Sequence, residues 1–319
     1  MKIVFFGSSS FAAPILGKLA KIEDVILVVT QPDRQKGRAL KIAPTAVKLK
    51  AEELGIKTFQ PAKVNSEESI NFLKKFSADL FIVVSFGQIM SKAVLGLPKL
   101  HCLNIHASLL PEYRGAAPIN RAIANGEKET GVTIMRMNEK MDEGDIALKD
   151  TLSIGEQDDA IALTEKLSAK GADLLLDVIK LIKENKAEFK AQDNSKATYA
   201  PKLKKQDGLI DWTESADKIY NKIRALVPWP GCFTHLDKKM LKIWKVIPVH
   251  LSGEPSGSPD RWAKSEPGAV LEVNKNGIRV KTGKGVLKIE ELQLEGSRKM
   301  TAEEFIIGHK QLSPGAILK

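Results

Sequence analysis

Apolar positions in the first half of the chain fall in short unbroken runs. Lys2 to Phe6 is a β-rich run closed by Gly7, Asp24 to Thr30 and Asp79 to Val84 are continuous, and Leu103 to His106 is shorter. Runs of this kind mark strands covered on both faces. Between them apolar residues recur at helical spacing, at about Phe11–Ile22, Ala43–Leu54, Glu67–Phe76 and Ala116–Asn125. The alternation predicts an α/β fold with a doubly wound, mostly parallel sheet.

Gly131–Met137 and Ile146–Ile154 then read as two neighbouring strands, and Asp158–Lys183 as a long amphipathic helix. Residues 187–205 are polar, rich in Lys, Gln and Asn, and aperiodic, which reads as a linker. Beyond it the texture changes. Ser215–Leu226 is one helix, stopped by Pro228. Short runs follow at Phe233–Leu236, Met240–Val249, Gly268–Val273, Gly277–Thr282 and Gly285–Leu292. Short β runs between turn residues predict a small sandwich or barrel. The expected division is residues 1–186, a linker at 187–205, and residues 206–319.

A chain of 319 residues, 43% hydrophobic and 28% charged, is ample for two packed cores and excludes disordered or fibrous classes. The net charge of +10 points to an acidic partner, with nucleic acid foremost; a generally Lys-rich surface is the plain alternative. Two distant cysteines, Cys102 and Cys232, have no metal spacing and suit a reducing cytoplasm. The apolar start is too short for a signal peptide and no membrane span follows.

The chemistry concentrates at the end of the Leu103–His106 run. Alternation along a strand puts Asn104 and His106 on one face, at the carboxyl end where open α/β sheets bind ligands. A polar strand end with a capping Asn is the structural alternative. The following loop, Ser108-Leu109-Leu110-Pro111 to Arg114-Gly115 and Pro118, is stiff and presents amides and apolar surface, which suits a flat heterocycle. Met141-Asp142-Glu143-Gly144-Asp145 is a turn whose Asp142 is able to reach an imidazole; acids that merely favour turns are the alternative. Cys102 shares the Asn104 face, which leaves a Cys–His nucleophile as a minor option. Gly7-Ser8-Ser9-Ser10 lacks the dinucleotide glycine fingerprint. From Gln31 to Lys50 run Arg34, Lys36, Arg38, Lys41, Lys48 and Lys50 with Asp33 as sole acid, either a solvated loop or a phosphate-binding one.

Asn104-x-His106, Ser108 to Pro111, Arg114-Gly115, Pro118 and Asp142-x-Gly144-Asp145 resemble the signature of the folate-dependent formyltransferases. Thr30 to Arg34, Tyr199 to Lys202, Gly208 to Trp212 and Pro228-Trp229-Pro230-Gly231 extend the resemblance from about Ile3 to Leu318, toward the members that act on charged initiator tRNA. The resemblance implies a Rossmann-like catalytic domain and an OB-like C-terminal β-barrel that assists tRNA binding. It implies transfer of the formyl group of 10-formyltetrahydrofolate to the amino group of initiator methionyl-tRNA, with Asn104, His106 and Asp142 catalytic and no metal. Ser108, Leu109, Leu110, Pro111, Phe86, Gly87, Gln88 and Ile89 would form the folate pocket. Family members often carry Tyr where Phe86 stands and a more apolar residue at Gln88. Arg34, Lys36, Arg38 and Lys41 would meet tRNA, and Ser8 and Phe11 the aminoacyl group, although Phe11 serves equally well as a core aromatic. A monomer is expected.

Three other readings compete: the same transfer to a small amine such as a phosphoribosyl glycinamide or an amino sugar, a non-catalytic nucleic-acid-binding module, and a nucleotide-dependent oxidoreductase. The basic Gln31–Lys50 loop and the second domain favour the tRNA substrate.

Overall fold

The structure is a computed structural model of the chain, and it describes residues 1–36, 41–249, 262, 264–309 and 312–319. Two compact units divide the chain. The first comprises Met1–Pro118, Glu129–Ser153 and Leu163–Pro201; the second comprises Ile119–Lys128, Ile154–Ala162 and Lys202–Lys319.

The first unit holds strands β1 (Lys2–Gly7), β2 (Asp24–Val29), β3 (Arg34–Lys36), β4 (Lys41–Ala43), β5 (Thr58–Phe59), β6 (Leu80–Val84), β7 (His101–His106), β8 (Arg114–Gly115), β9 (Glu129–Arg136), β10 (Ile146–Ser153) and β11 (Tyr199–Ala200). Seven of them form one sheet in the order β10-β9-β7-β6-β1-β2-β5. The pairs from β5 through β7 are parallel, whereas β9 and β10 run antiparallel at one edge. Helices α1 (Ala12–Leu19), α2 (Ala46–Glu53), α3 (Glu67–Lys74), α4 (Lys92–Leu95) and, from Leu163 on, α6 (Ala160–Lys183) alternate with the strands, whereas α5 (Pro118–Ala124) belongs from Ile119 on to the second unit.

The two faces follow from strand alternation. Val4 and Phe6 of β1, Leu27 and Val29 of β2, and Phe81 and Val83 of β6 pack with Leu73 of α3 in one cluster, which Cys102 of β7 joins. Ile105 faces the other way: a methyl at Gly171 of α6 would meet Ile105, Val132 and Ile15. Thus β7 buries Ile105 against α6 and turns Cys102, Asn104 and His106 to the opposite side.

The expected helix from Ala43 begins later, at Ala46, because Lys41–Ala43 is spent in β4, which pairs with β3. Thr45 caps it by accepting from the Lys48 amide at 3.0 Å. The stretch expected to be a linker is also structured. Lys190 bridges Ile146, and Tyr199–Ala200 pairs with Arg114–Gly115 as β11 on β8. A bridge of one residue and a strand of two are too short to carry a period, so these pairings left no trace in the pattern.

The second unit contains α7 (Ala216–Ala225), strands β12 (Cys232–Leu236), β13 (Lys239–Val249), β14 (Val270–Asn274), β15 (Gly277–Lys281), β16 (Val286–Leu294) and β17 (Met300–Thr301), and α8 (Ala302–Gly308). Its sheet runs β12-β13-β16-β15-β14 and is antiparallel. The chain end closes it: Leu318 bridges Leu236 at one edge, and Ile317 bridges Ala269 beside the other. The barrel expected from turn spacing is therefore completed by residues that have no strand pattern of their own. Residues 119–128 and 154–162, expected in the first domain, pack here. Arg121 pairs with Asp207 at 2.9 Å, Asn120 donates to the Ala225 carbonyl at 2.7 Å, and Arg224 donates to the Asp158 carbonyl at 2.8 Å.

Candidate active site

The candidate site lies at the carboxyl ends of β1, β6 and β7, where the loops that follow parallel strands converge. Asn104 and His106 are 9% and 6% exposed. They are held in register by pairing with Met135 and Thr133 of β9. His106 Nε2 lies 2.9 Å from the Tyr113 carbonyl oxygen. A carbonyl only accepts, so Nε2 carries the proton in this bond, and Nδ1 is left toward Asp142. The Nδ1 to Asp142 Oδ2 distance is 3.7 Å, within ion-pair range and longer than a hydrogen bond. The side-chain carboxamide of Asn104 makes no hydrogen bond to another group among the described residues.

Asp142 is fixed from two sides. Its Oδ2 accepts from the Gly115 amide at 2.8 Å, and its backbone adopts a left-handed φ of 54°. Two residues on, a Cβ at Gly144 would stand 1.8 Å from the Arg136 carbonyl oxygen, so the turn admits only glycine there. Beneath the turn lies Arg114, whose side chain is fully buried. Its Nη2 donates to Gln192 Oε1 and Asn194 Oδ1, both at 2.7 Å, and Glu143 Oε1 is 3.6 Å from Nη1. Gln192 and Asn194 lie in the stretch expected to be a linker. Nothing in a polar aperiodic stretch marks them.

The Ser108–Pro111 loop is braced from inside. Ser108 Oγ donates to the Glu112 carbonyl at 2.6 Å, the Leu110 amide donates to Thr133 Oγ1 at 3.1 Å, and Leu110 is wholly buried. Only the partly exposed Leu109 and Pro111 offer side-chain surface.

The second loop tells a similar story. Phe86 is buried edge-on to Phe6 at 5.4 Å, and Gly87 has φ 85°. The Gln88 amide is consumed by the neighbouring loop: it accepts from the Val64 amide at 2.8 Å and donates to the Pro61 carbonyl at 3.0 Å. What remains open to a ligand is backbone and Ile89, which is 73% exposed. Ser8 ties three strand ends together, donating to the Phe86 carbonyl at 3.2 Å and accepting from the Gln31 amide at 3.1 Å. Phe11 is 5% exposed and its carbonyl accepts from Ser168, so it sits in the core.

In the basic run, Lys48 is bound to Asp33 at 2.6 Å, and Lys50 to Glu53 at 2.5 Å. Asp33 also accepts from Gln60 at 2.7 Å. Arg34 donates to Gln31 Oε1 at 3.1 Å. Lys36 and Lys41 lie on the backbone of β3 and β4; Arg38 lies outside the described residues, as do the side chains of Lys36 and Lys41. The Cys102 thiol is pushed far up by burial, which keeps it protonated and removes it as a nucleophile beside His106. No group of three or more His, Cys, Asp or Glu arranged for a metal occurs among the described residues. No helix of the described residues is long and apolar enough to cross a membrane.

An amide, an imidazole and a carboxylate converging at the carboxyl end of a parallel strand suit group transfer of the acyl type, which needs donors for a developing oxyanion and a proton acceptor. Family comparison agrees with that geometry. Residues 1–179 match the formyl transferase family and residues 202–310 the formyl transferase C-terminal domain, and the chain belongs to this family.

Among full-length relatives it is 46% identical to a methionyl-tRNA formyltransferase of Caldanaerobacter subterraneus, over 100% of both chains. It is 44% identical to a methionyl-tRNA formyltransferase of Geobacter sulfurreducens, over 100% of this chain and 96% of that one. Among solved structures, an N-formyltransferase of Helicobacter canadensis in complex with folinic acid and dTDP-3-aminofucose matches 94% of this chain and 100% of its own, with a TM-score of 0.66 at 20% identity. HypX of Aquifex aeolicus in complex with tetrahydrofolic acid matches 97% of this chain with a TM-score of 0.63 at 17% identity, and the chain spans 47% of that protein. At these identities the structural matches speak for the fold.

Proposed function

We propose that the chain transfers the formyl group of 10-formyltetrahydrofolate to the free amino group of initiator methionyl-tRNA. The observation that carries this reading is the approach of Asp142 to His106 beside Asn104, in a chain whose full-length relatives are named for that reaction.

The folate would supply the formyl group, and the exposed Ile89, the Gly87 turn and the Ser108–Pro111 loop fit a flat ring that bonds mainly to backbone. As the amine attacks the formyl carbon, negative charge grows on the formyl oxygen. The side-chain amide of Asn104 is free to donate to it, and one such donor contributes about 3 kcal/mol to lowering the barrier. His106 Nε2–H must exchange the Tyr113 carbonyl for that oxygen to act as a second donor. Nδ1 and Asp142 Oδ2 are two acceptors facing each other across a short gap, so a proton lost by the amine has a place to lodge between them.

The basic residues Arg34, Lys36, Arg38 and Lys41 would meet tRNA phosphates, assisted by the C-terminal barrel. We propose further that the protein works in the cytoplasm, as a monomer and without a metal. Incubation with charged initiator tRNA and 10-formyltetrahydrofolate should yield N-formylmethionine. Absence of product, with turnover of a phosphoribosyl glycinamide or an amino sugar instead, would replace this substrate with the small amine.

A further inference from the structure

Gln192 belongs to no helix or strand, yet its side chain is saturated. The amide nitrogen donates to the Asp142 carbonyl at 2.9 Å and to the Gly144 carbonyl at 2.7 Å. The amide oxygen accepts from Arg114 Nε at 3.2 Å and Nη2 at 2.7 Å. Two donors and two lone pairs are the full capacity of a carboxamide. The group therefore joins a buried cation to the two backbone carbonyls that flank Glu143.

We propose that Gln192 is a positioning residue that locks the Asp142–Gly144 turn onto Arg114 and thereby holds Asp142 beside His106. The inference rests on the catalytic reading of Asp142. Asp142 holds a φ of 54°, a conformation that a non-glycine residue keeps only when its surroundings impose it. The Gly115 amide fixes its carboxylate and Gln192 fixes its carbonyl, so the two together set the direction of the side chain.

Arg114 supplies the anchor because it is itself immobilised, by Asn194 at 2.7 Å and by packing that leaves it 1% exposed. No other residue type meets both demands. Asn is a methylene too short. Glu keeps the acceptor for Arg114 but turns an oxygen toward two carbonyls. Lys and Arg donate to the carbonyls and repel Arg114.

The test is a mutant cycle in the full-length enzyme, with kcat and KM measured for Gln192→Ala, Gln192→Glu, Asp142→Asn and each double variant. Gln192→Ala and Gln192→Glu should both lower kcat by about 10- to 100-fold, the cost of a small displacement of a reacting group. The KM for the formyl donor should stay within about twofold, because only an interaction made in the transition state has been lost. In the Asp142→Asn background either change at Gln192 should add less than about twofold, since the residue being positioned is already disabled.

Losses at Gln192 that multiply with the loss at Asp142, or kcat at the unmodified level in both Gln192 variants, overturn the inference. Unchanged kcat in Asp142→Asn overturns it differently, by removing the catalytic role it serves. Should Gln192→Ala fail to fold, Gln192→Glu carries the measurement, because its carboxylate still pairs with Arg114.

Discussion

Asp142 Oδ2 stands 3.7 Å from His106 Nδ1 while accepting the Gly115 amide at 2.8 Å. The carboxylate is thus aimed at the imidazole by a backbone donor on the loop that also carries the Tyr113 carbonyl, the acceptor for the other ring nitrogen. Asp142→Asn keeps an acceptor for Gly115 but removes the charge that shares with His106 Nδ1 the proton lost by the amine. It should lower kcat by about 100-fold or more, within the range for losing one proton-transfer partner. A steady-state assay with charged initiator tRNA measures this, and near-normal turnover would leave His106 without a need for the carboxylate.

His106→Ala separates chemistry from binding. The imidazole is 6% exposed, at the carboxyl end of β7. Turnover should fall by about 10³-fold or more, whereas the tRNA dissociation constant stays within about twofold. Filter binding at fixed salt checks the second half, and a large loss of affinity would mean that the ring contacts tRNA rather than the reacting atoms.

Gly144→Ala probes the turn rather than its side chains. A Cβ there would lie 1.8 Å from the Arg136 carbonyl oxygen and 2.9 Å from its carbon. The β9–β10 connection must move, and Asp142 with it. The variant should lose stability by about 2 kcal/mol or more, since backbone has no rotamer by which to yield, and kcat should fall further than stability alone explains. Urea unfolding together with kcat tests this, and an unaltered midpoint would contradict the clash.

Asp33 should make the basic hairpin pH-sensitive. Hydrogen bonds from Lys48 first, then Gln60, hold its carboxyl below the usual value of 3.8. A depressed native pKa contributes stability that is fully present above the ordinary carboxylate value and is lost as pH falls through the lowered one. Residues 34–36 and 41–43 should therefore loosen in acid below about pH 4 and remain tied at neutral pH. Asp33→Asn should bring that loosening to pH 7, read as faster amide exchange in these strands after correction for intrinsic rates. Equal exchange in both proteins at pH 7 would show that Lys48 and Asp33 do not tie the hairpin.

Salt reports on the proposed partner. If Lys and Arg side chains neutralise phosphates, the logarithm of the tRNA affinity should fall linearly with the logarithm of salt, and Arg38→Ala should reduce the slope by about one unit. A slope that Arg38→Ala leaves unchanged would remove that side chain from the interface while leaving the folate site as described.

Much of this molecule was legible in one dimension. Apolar runs at Asp24–Thr30 and Asp79–Val84 became β2 and β6 because a strand buried on both faces needs no partner to betray it. Alternation alone placed Asn104 and His106 on one face of β7. The glycine in Met141–Asp145 marked a turn. All of these follow from local periodicity and local backbone freedom, which short stretches of sequence carry in full.

Only the tertiary structure decided which groups complete the site and which are already occupied. Gln88 looked like a pocket residue and is spent on Pro61 and Val64, and Phe11 is core. Gln192 looked like linker and holds the Asp142 turn through Arg114. Residues 316–319 have no strand pattern and yet close the barrel of the second unit. Phe11 is settled by burial; in the other cases the deciding contact is a hydrogen bond between groups far apart in the chain, made by an amide, a guanidinium or a peptide. Such groups bond equally well to water in an extended chain, so their partners are chosen only when the apolar framework has folded and brought them within reach.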